Sequence, residues 1–250
     1  MTDTTEEPAA GGNFPATRWS AIEAARSADP AERRRALDRI VSAYWKPVYK
    51  YIRARWRRSG DEAQDLTQEF FASLIDRGTL DAFDPRRARL RTFLRACVDA
   101  LVANADRDAR RLKRGGGAPL LSLEFELADG ELAKTGLPAP ERLEEFFEKE
   151  WIRSLFEMAV EQLRAECGAR GRELPFRLFE RYDLEDEEPR RTTYAALAEE
   201  FGIAATDVTN HLAFARREFR RITLALLRET TATEDEFRRE ARSLLGHDPA

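Results

Sequence analysis

The chain has 250 residues, 35% of them charged and 42% hydrophobic, with 13 Gly and 11 Pro, which excludes a low-complexity or collagen-like chain and suits helical surfaces around a core. No window approaches the ~20 consecutive apolar residues of a membrane span, and the first residues, Met1 to Glu7, lack the basic and apolar parts of a signal peptide, so a cytoplasmic protein with no membrane partner is expected. The net charge of −4 is a sum of opposed blocks: residues 33–114 hold 21 basic and 11 acidic side chains, residues 120–190 hold 10 and 19. The basic block points to contact with nucleic acid.

From Ala36 to Trp56 apolar residues recur at helical spacing, and Pro47 is expected to split or kink that stretch. Asp61 is the expected N-cap of a second helix, with Ala63, Leu66, Phe70, Leu74 and Ile75 as its apolar stripe and Gly78 as its end. A third helix buries Leu90, Phe93, Leu94, Cys97, Val98, Leu101 and Val102, exposes most of its arginines, and stops at Gly115-Gly116-Gly117. Residues 115–140, rich in Gly and Pro, have the composition of a linker without helical period. Within them Leu121, Leu123, Phe125 and Leu127 alternate with polar residues, the period of an extended segment. Helical spacing resumes at Phe146, Phe147, Trp151, Leu155, Phe156, Ala159, Val160 and Leu163 and continues through Phe179. The expected fold is all-α, two small helical domains joined by a flexible linker.

Tyr194 to Leu212 has the spacing of a helix-turn-helix, with Gly202 at the turn. Val208, Leu212, Ala215, Phe219, Ile222 and Leu226 face inward on its second helix, leaving Thr206, Asp207, Thr209, Asn210 and His211 near the end that such motifs place in the major groove. Arg216, Arg217, Arg220 and Arg221 stand within reach of phosphates, which add affinity and salt dependence without reading sequence. An ordinary helical hairpin has the same pattern. The arginine-rich third helix is a second nucleic-acid signal, to which Asn104 adds a side chain able to bond base edges.

Several motifs in order carry a resemblance: Asp65-Leu-Thr-Gln-Glu-Phe-Phe, the Arg91-Thr-Phe-Leu run, Ala103-Asn-Ala-Asp-Arg-Asp-Ala-Arg-Arg with Lys113-Arg-Gly-Gly, and the helix-turn-helix. Together the chain resembles a bacterial RNA polymerase sigma factor of the extracytoplasmic-function type. The Thr17-Arg-Trp-Ser opening, the Tyr44-Trp-Lys-Pro run and the segment from Glu141 to Leu178 are similar to a variant common in planctomycetes and related bacteria.

The resemblance implies an N-terminal extension (1–32), a region 2 (33–114) that binds core RNA polymerase and the minus-ten element, a linker (115–140), a region 4 (141–228) that reads the minus-thirty-five element, and a C-terminal tail (229–250). It implies core polymerase contacts at Asp65, Gln68 and Glu69, with Leu66 assigned to packing. Promoter contacts are implied at Arg91, Asn104, Arg107 and Arg111 in region 2, where melting requires capture of an unstacked base. The partners implied are core RNA polymerase and promoter DNA, with an anti-sigma factor or regulatory kinase admitted as a further one. The acidic linker and following helices would suit a path along the basic RNA-exit channel.

The chain departs from that pattern at Ala204, where relatives often carry a capping Ser; Thr206 is a substitute two residues later. It also has Asp207, Thr209, Asn210 and His211 where relatives often place Lys or Arg. Asp207 repels phosphate but can accept from cytosine N4, and Asn210 can read adenine, which implies either an unusual promoter or weak DNA binding here. A helix-turn-helix regulator or adaptor without polymerase binding is the alternative reading. Catalysis is not expected. Asp61, Glu62, Asp65 and Glu69 include i, i+4 pairs, but the two histidines, His211 and His247, have no ligand-like neighbours, and there is no phosphate loop, nucleophile elbow or triad. No cofactor or metal is expected, and Cys97 and Cys167 suit buried small hydrophobes. Phe237, Ala241, Leu244 and Leu245 give the tail an amphipathic helix that either docks on region 4 or masks the recognition helix.

Overall fold

The computed structural model describes residues 21–76, 78–109, 123–185 and 192–246. Among them there is no strand. The α-helices are α1 (Ala21–Ala24), α2 (Pro30–Trp56), α3 (Gly60–Asp76), α4 (Leu90–Ala109), α5 (Phe125–Thr135), α6 (Leu143–Ala169), α7 (Glu173–Phe179), α8 (Tyr194–Phe201), α9 (Ala205–Thr230) and α10 (Glu234–Leu245).

α2 starts where Asp29 accepts the Ala31 N–H at 3.0 Å and Pro30 supplies a preset φ. It does not split at Pro47. Proline removes one backbone donor at a cost of about 3 kcal/mol in a helix interior, but Pro47 is itself buried between Tyr44 and Val48, each 1% exposed or less. Helices pack around this stretch closely enough to hold it helical through the missing bond. The apolar cluster built on α2 takes in α1, α3, α4, α5, the first half of α6, the end of α9 and α10. A second cluster joins the rest of α6 to α7, α8 and the first two-thirds of α9. α6 and α9 therefore run through both.

Residues 123–140 differ from the expected linker, because Phe125 opens a helix instead of sitting in an extended run. Its ring lies 5.0 Å from Tyr49 and 5.5 Å from Trp45, centroid to centroid. With Gly130 inside it, an 11-residue helix has little stability of its own and is held by this docking. Leu121 lies outside the described residues, as do Arg110 to Arg114.

The opposed charge blocks meet in the fold. Lys50 of α2 donates to Glu131 of α5 at 2.6 Å and to Glu150 of α6 at 2.5 Å, while Lys46 reaches Glu131 at 2.8 Å and Glu157 at 2.7 Å. Arg53 pairs with Asp129. In this arrangement Asp129, Glu131, Glu150 and Glu157 pair with α2, and Glu144 and Glu148 with α4. Cys167 is buried and Cys97 half-buried, both as free thiols.

Candidate protein and nucleic-acid interfaces

α3 begins with a reciprocal cap. The Glu62 N–H donates to Ser59 Oγ at 3.3 Å and the Ser59 N–H to Glu62 Oε2 at 3.0 Å. The cap expected of Asp61 is thus made by Ser59, and its backbone N–H holds the Glu62 carboxyl below the usual range. Ala63, Thr67, Phe70, Phe71 and Leu74 are buried, with Leu66 packed against the same cluster. The helical period then puts Asp61, Asp65 and Glu69 on the opposite, exposed side, with Gln68 half-buried beside them. Asp65 and Glu69 have no ion-pair partner among the described residues. An acidic ridge on a rigid helix, free of internal pairing, suits a basic protein surface.

α4 buries Leu90, Leu94, Val98 and Val102 completely, and Phe93, Cys97 and Leu101 in part. Asn104 and Arg107 lie exposed on its second half, where Arg107 donates to Asn104 Oδ1 and, at 3.2 Å, to the Ala103 carbonyl. Both are open to a ligand. Arg111 falls outside the described residues.

Arg91, expected among the promoter contacts, lies against two acids and an aromatic ring. Its side chain is 7% exposed, with Nη2 2.9 Å from Glu240 and 2.8 Å from Glu148, and its guanidinium lies 4.8 Å from the centre of the Trp151 ring. Burial works against the charge, but the Glu240 bond and the two carboxylates raise the Arg91 pKa. The acids that hold Arg91, on α6 and α10, were missed because they lie 57 and 149 residues away in sequence. The available signal was the pair of opposed charge blocks, together with Glu236 and Glu240 at i, i+4 on an amphipathic tail.

Where a helix-turn-helix is expected, α8 and α9 are two helices joined through a tight turn at Gly202. Thr193 caps α8, accepting the Ala196 N–H at 3.1 Å, and Gly202 turns the chain at φ +65°, a left-handed conformation that glycine adopts without strain. Leu197, Val208, Leu212 and Ala215 are completely buried between the two helices, whereas Thr206, Asp207, Thr209 and Asn210 are exposed and His211 is half-buried. Ala204 holds the N-cap position in extended conformation with no side-chain bond. Thr206 does not supply the missing cap; only backbone bonds, such as Asp207 N–H to the Ala204 carbonyl at 2.9 Å, close that turn.

Arg216 differs from its expected role. It makes a two-pronged bond to Asp183 at 2.8 and 2.9 Å and donates to Tyr194 Oη at 3.3 Å, and the Asp183 bond raises its pKa. It braces α9 against the turn that follows α7. Arg217 has a side chain 69% exposed and is available to phosphate. Among the described residues no group of three or more His, Cys, Asp or Glu side chains could hold a metal ion, and no helix is long and apolar enough to cross a membrane.

Residues 40–112, which span α3, α4 and most of α2, match the family model described as Sigma-70 region 2. The matched stretch is less than a third of the chain and places α3, α4 and most of α2 in a domain similar to Sigma-70 region 2. No curated protein and no solved structure matches the chain.

Proposed function

We propose that this protein is a sigma factor of the extracytoplasmic-function type that binds core RNA polymerase through the exposed face of α3 and directs it to promoters. The observation that carries the reading is the unpaired acidic ridge of Asp65 and Glu69, with Gln68 beside them, inside the stretch that matches Sigma-70 region 2. Asn104, Arg107 and Arg111 are its proposed contacts with the minus-ten element. The second half of the chain is its region 4, where Thr206, Asp207, Thr209, Asn210, His211 and Arg217 face the minus-thirty-five element. The short polar side chains there accept and donate to base edges, and Arg217 holds phosphate.

The test is an anisotropy titration of labelled protein with purified core RNA polymerase, competed by a housekeeping sigma factor. Saturable binding that the competitor removes supports the proposal. Absence of binding at micromolar polymerase overturns it in favour of a helix-turn-helix regulator acting on DNA alone, a reading favoured by the well-formed α8–α9 pair.

A further inference from the structure

The start of α4 is covered by acids from two distant helices. Glu240 of α10 lies 2.9 Å from both Arg91 Nη2 and Arg89 Nη1, and Glu144 of α6 lies 2.7 Å from Arg95. Beside these pairs a cleft of about 220 Å³ is bordered by Arg86, Arg87 and Arg89 on one side and by Glu236 and Arg239 of α10 on the other. α10 therefore sits on an arginine-rich turn of the basic block.

Its hold there is of a particular kind. Phe237 and Ala241 of α10 are buried and Leu244 packs half-buried beside them, with the Arg228 guanidinium 4.1 Å over the Phe237 ring; the ties to Arg89 and Arg91 run through the Glu240 carboxylate. The helix has 12 residues, with a cap in which Thr233 accepts the Glu236 N–H at 3.2 Å and Glu236 accepts the Ala232 N–H at 3.0 Å. Helices this short are marginal in water unless docked. Carboxylate and phosphate bind the same two-pronged face of a guanidinium, so a polyphosphate chain and Glu240 compete for the same groups.

We propose that α10 is an intramolecular latch on region 2. Docked, it covers the basic surface at residues 86–91 with its own carboxylates; displaced, it gives Arg89 to nucleic-acid phosphates and leaves Arg91 held by Glu148 alone of its two carboxylates. The proposal rests on the reading of residues 40–112 as a DNA-contacting region. It also replaces the expected masking of the recognition helix, because α10 meets α9 at Arg228, far from Thr206 to His211.

The experiment measures anisotropy of a fluorescein-labelled, mixed-sequence fork duplex with the full-length chain, Glu240→Gln and Asp235→Asn, at several salt concentrations. Asp235 is an exposed acid of α10 and controls for the loss of one negative charge. The latch gives Glu240→Gln about tenfold tighter binding, within the usual range of coupling between sites, and a steeper salt dependence. Asp235→Asn should change affinity less than about twofold on the same scale. In the unaltered chain, saturating fork DNA should speed amide exchange across residues 234–245, a readout independent of any effect of substitution on folding. Equal DNA affinity for all three chains, with unchanged exchange in α10, overturns the proposal. Core polymerase is titrated against the same chains: failure of all of them to bind it would overturn the polymerase reading, and leave the latch to be decided by the DNA result.

Discussion

Lys50 Nζ lies 2.5 Å from Glu150 Oε2 in an interior where the two side chains are 1% and 4% exposed. The pair joins α2 to α6 across 100 residues of sequence, with Glu131 on the other side of the ammonium and Arg153 2.6 Å from the second Glu150 oxygen. A buried pair is a poor source of net stability, yet removing one member leaves the other uncompensated. Lys50→Met should therefore destabilise the protein by about 3–5 kcal/mol in urea denaturation. The double variant Lys50→Met, Glu150→Gln should recover a large part of that loss. A cost below about 1 kcal/mol for the single change would mean that the ammonium is solvated rather than buried.

Acid should act on the same network through Glu131. Burial alone would raise its pKa, but the bonds from Lys46 and Lys50 outweigh burial and lower it from 4.5. A carboxylate with a depressed native pKa stabilises the fold above its unfolded value and loses that contribution as pH falls through the native value. Glu131→Gln should accordingly cost about 1–2 kcal/mol at pH 7. The gap to the unaltered chain should close as the pH drops below 4.5. Thermal melts at pH 7 and pH 3.5 of both proteins test the sign; a gap that widens in acid would contradict it.

Charge reversal at Asp65 and Glu69 separates function from folding. Both side chains point away from the core and pair with nothing described, so Asp65→Arg with Glu69→Arg should leave helicity and melting temperature nearly unchanged. Affinity for core polymerase should fall by at least about a hundredfold, since like charges facing each other across an interface cost several kcal/mol. Retained binding would move the polymerase contact to another surface.

The bare N-cap of α9 offers a gain. Ala204 has φ −71° and ψ 149°, the extended geometry a capping serine requires. Ala204→Ser should stabilise the protein by about 1 kcal/mol, measured as a shift of the denaturation midpoint at constant slope. No shift would mean that the first turn of α9 is already satisfied.

Much of the helical architecture is legible in the sequence because apolar period and burial agree: Val208, Leu212 and Ala215, read as inward, are all completely buried. Phe219 and Leu226 pack against the same cluster only half-buried. The failures share a cause, which is tertiary contact overriding a local rule. Pro47 predicts a break, but packing on every side of α2 holds the helix through it. Residues 125–135, short and interrupted by Gly130, form a helix because Phe125 docks on Trp45 and Tyr49. At the candidate sites, the exposure of Asp65, Glu69 and Asn104 was legible because an exposed polar residue is positioned by its own helix alone. The pairing of Arg91 and Arg216 was not, because each takes its partner from a remote element, and no local pattern encodes Glu240 or Asp183.

The same remoteness sets a schedule during synthesis. Arg91 and Glu240 are 149 residues apart. At roughly 5–20 residues per second, a ribosome delivers the acid about 7–30 s after the base. Throughout that interval the nascent chain carries the arginines of α4 without their last covering helix. The arginines at the start of α4 are thus born uncovered beside ribosomal RNA and become shielded only when α10 emerges.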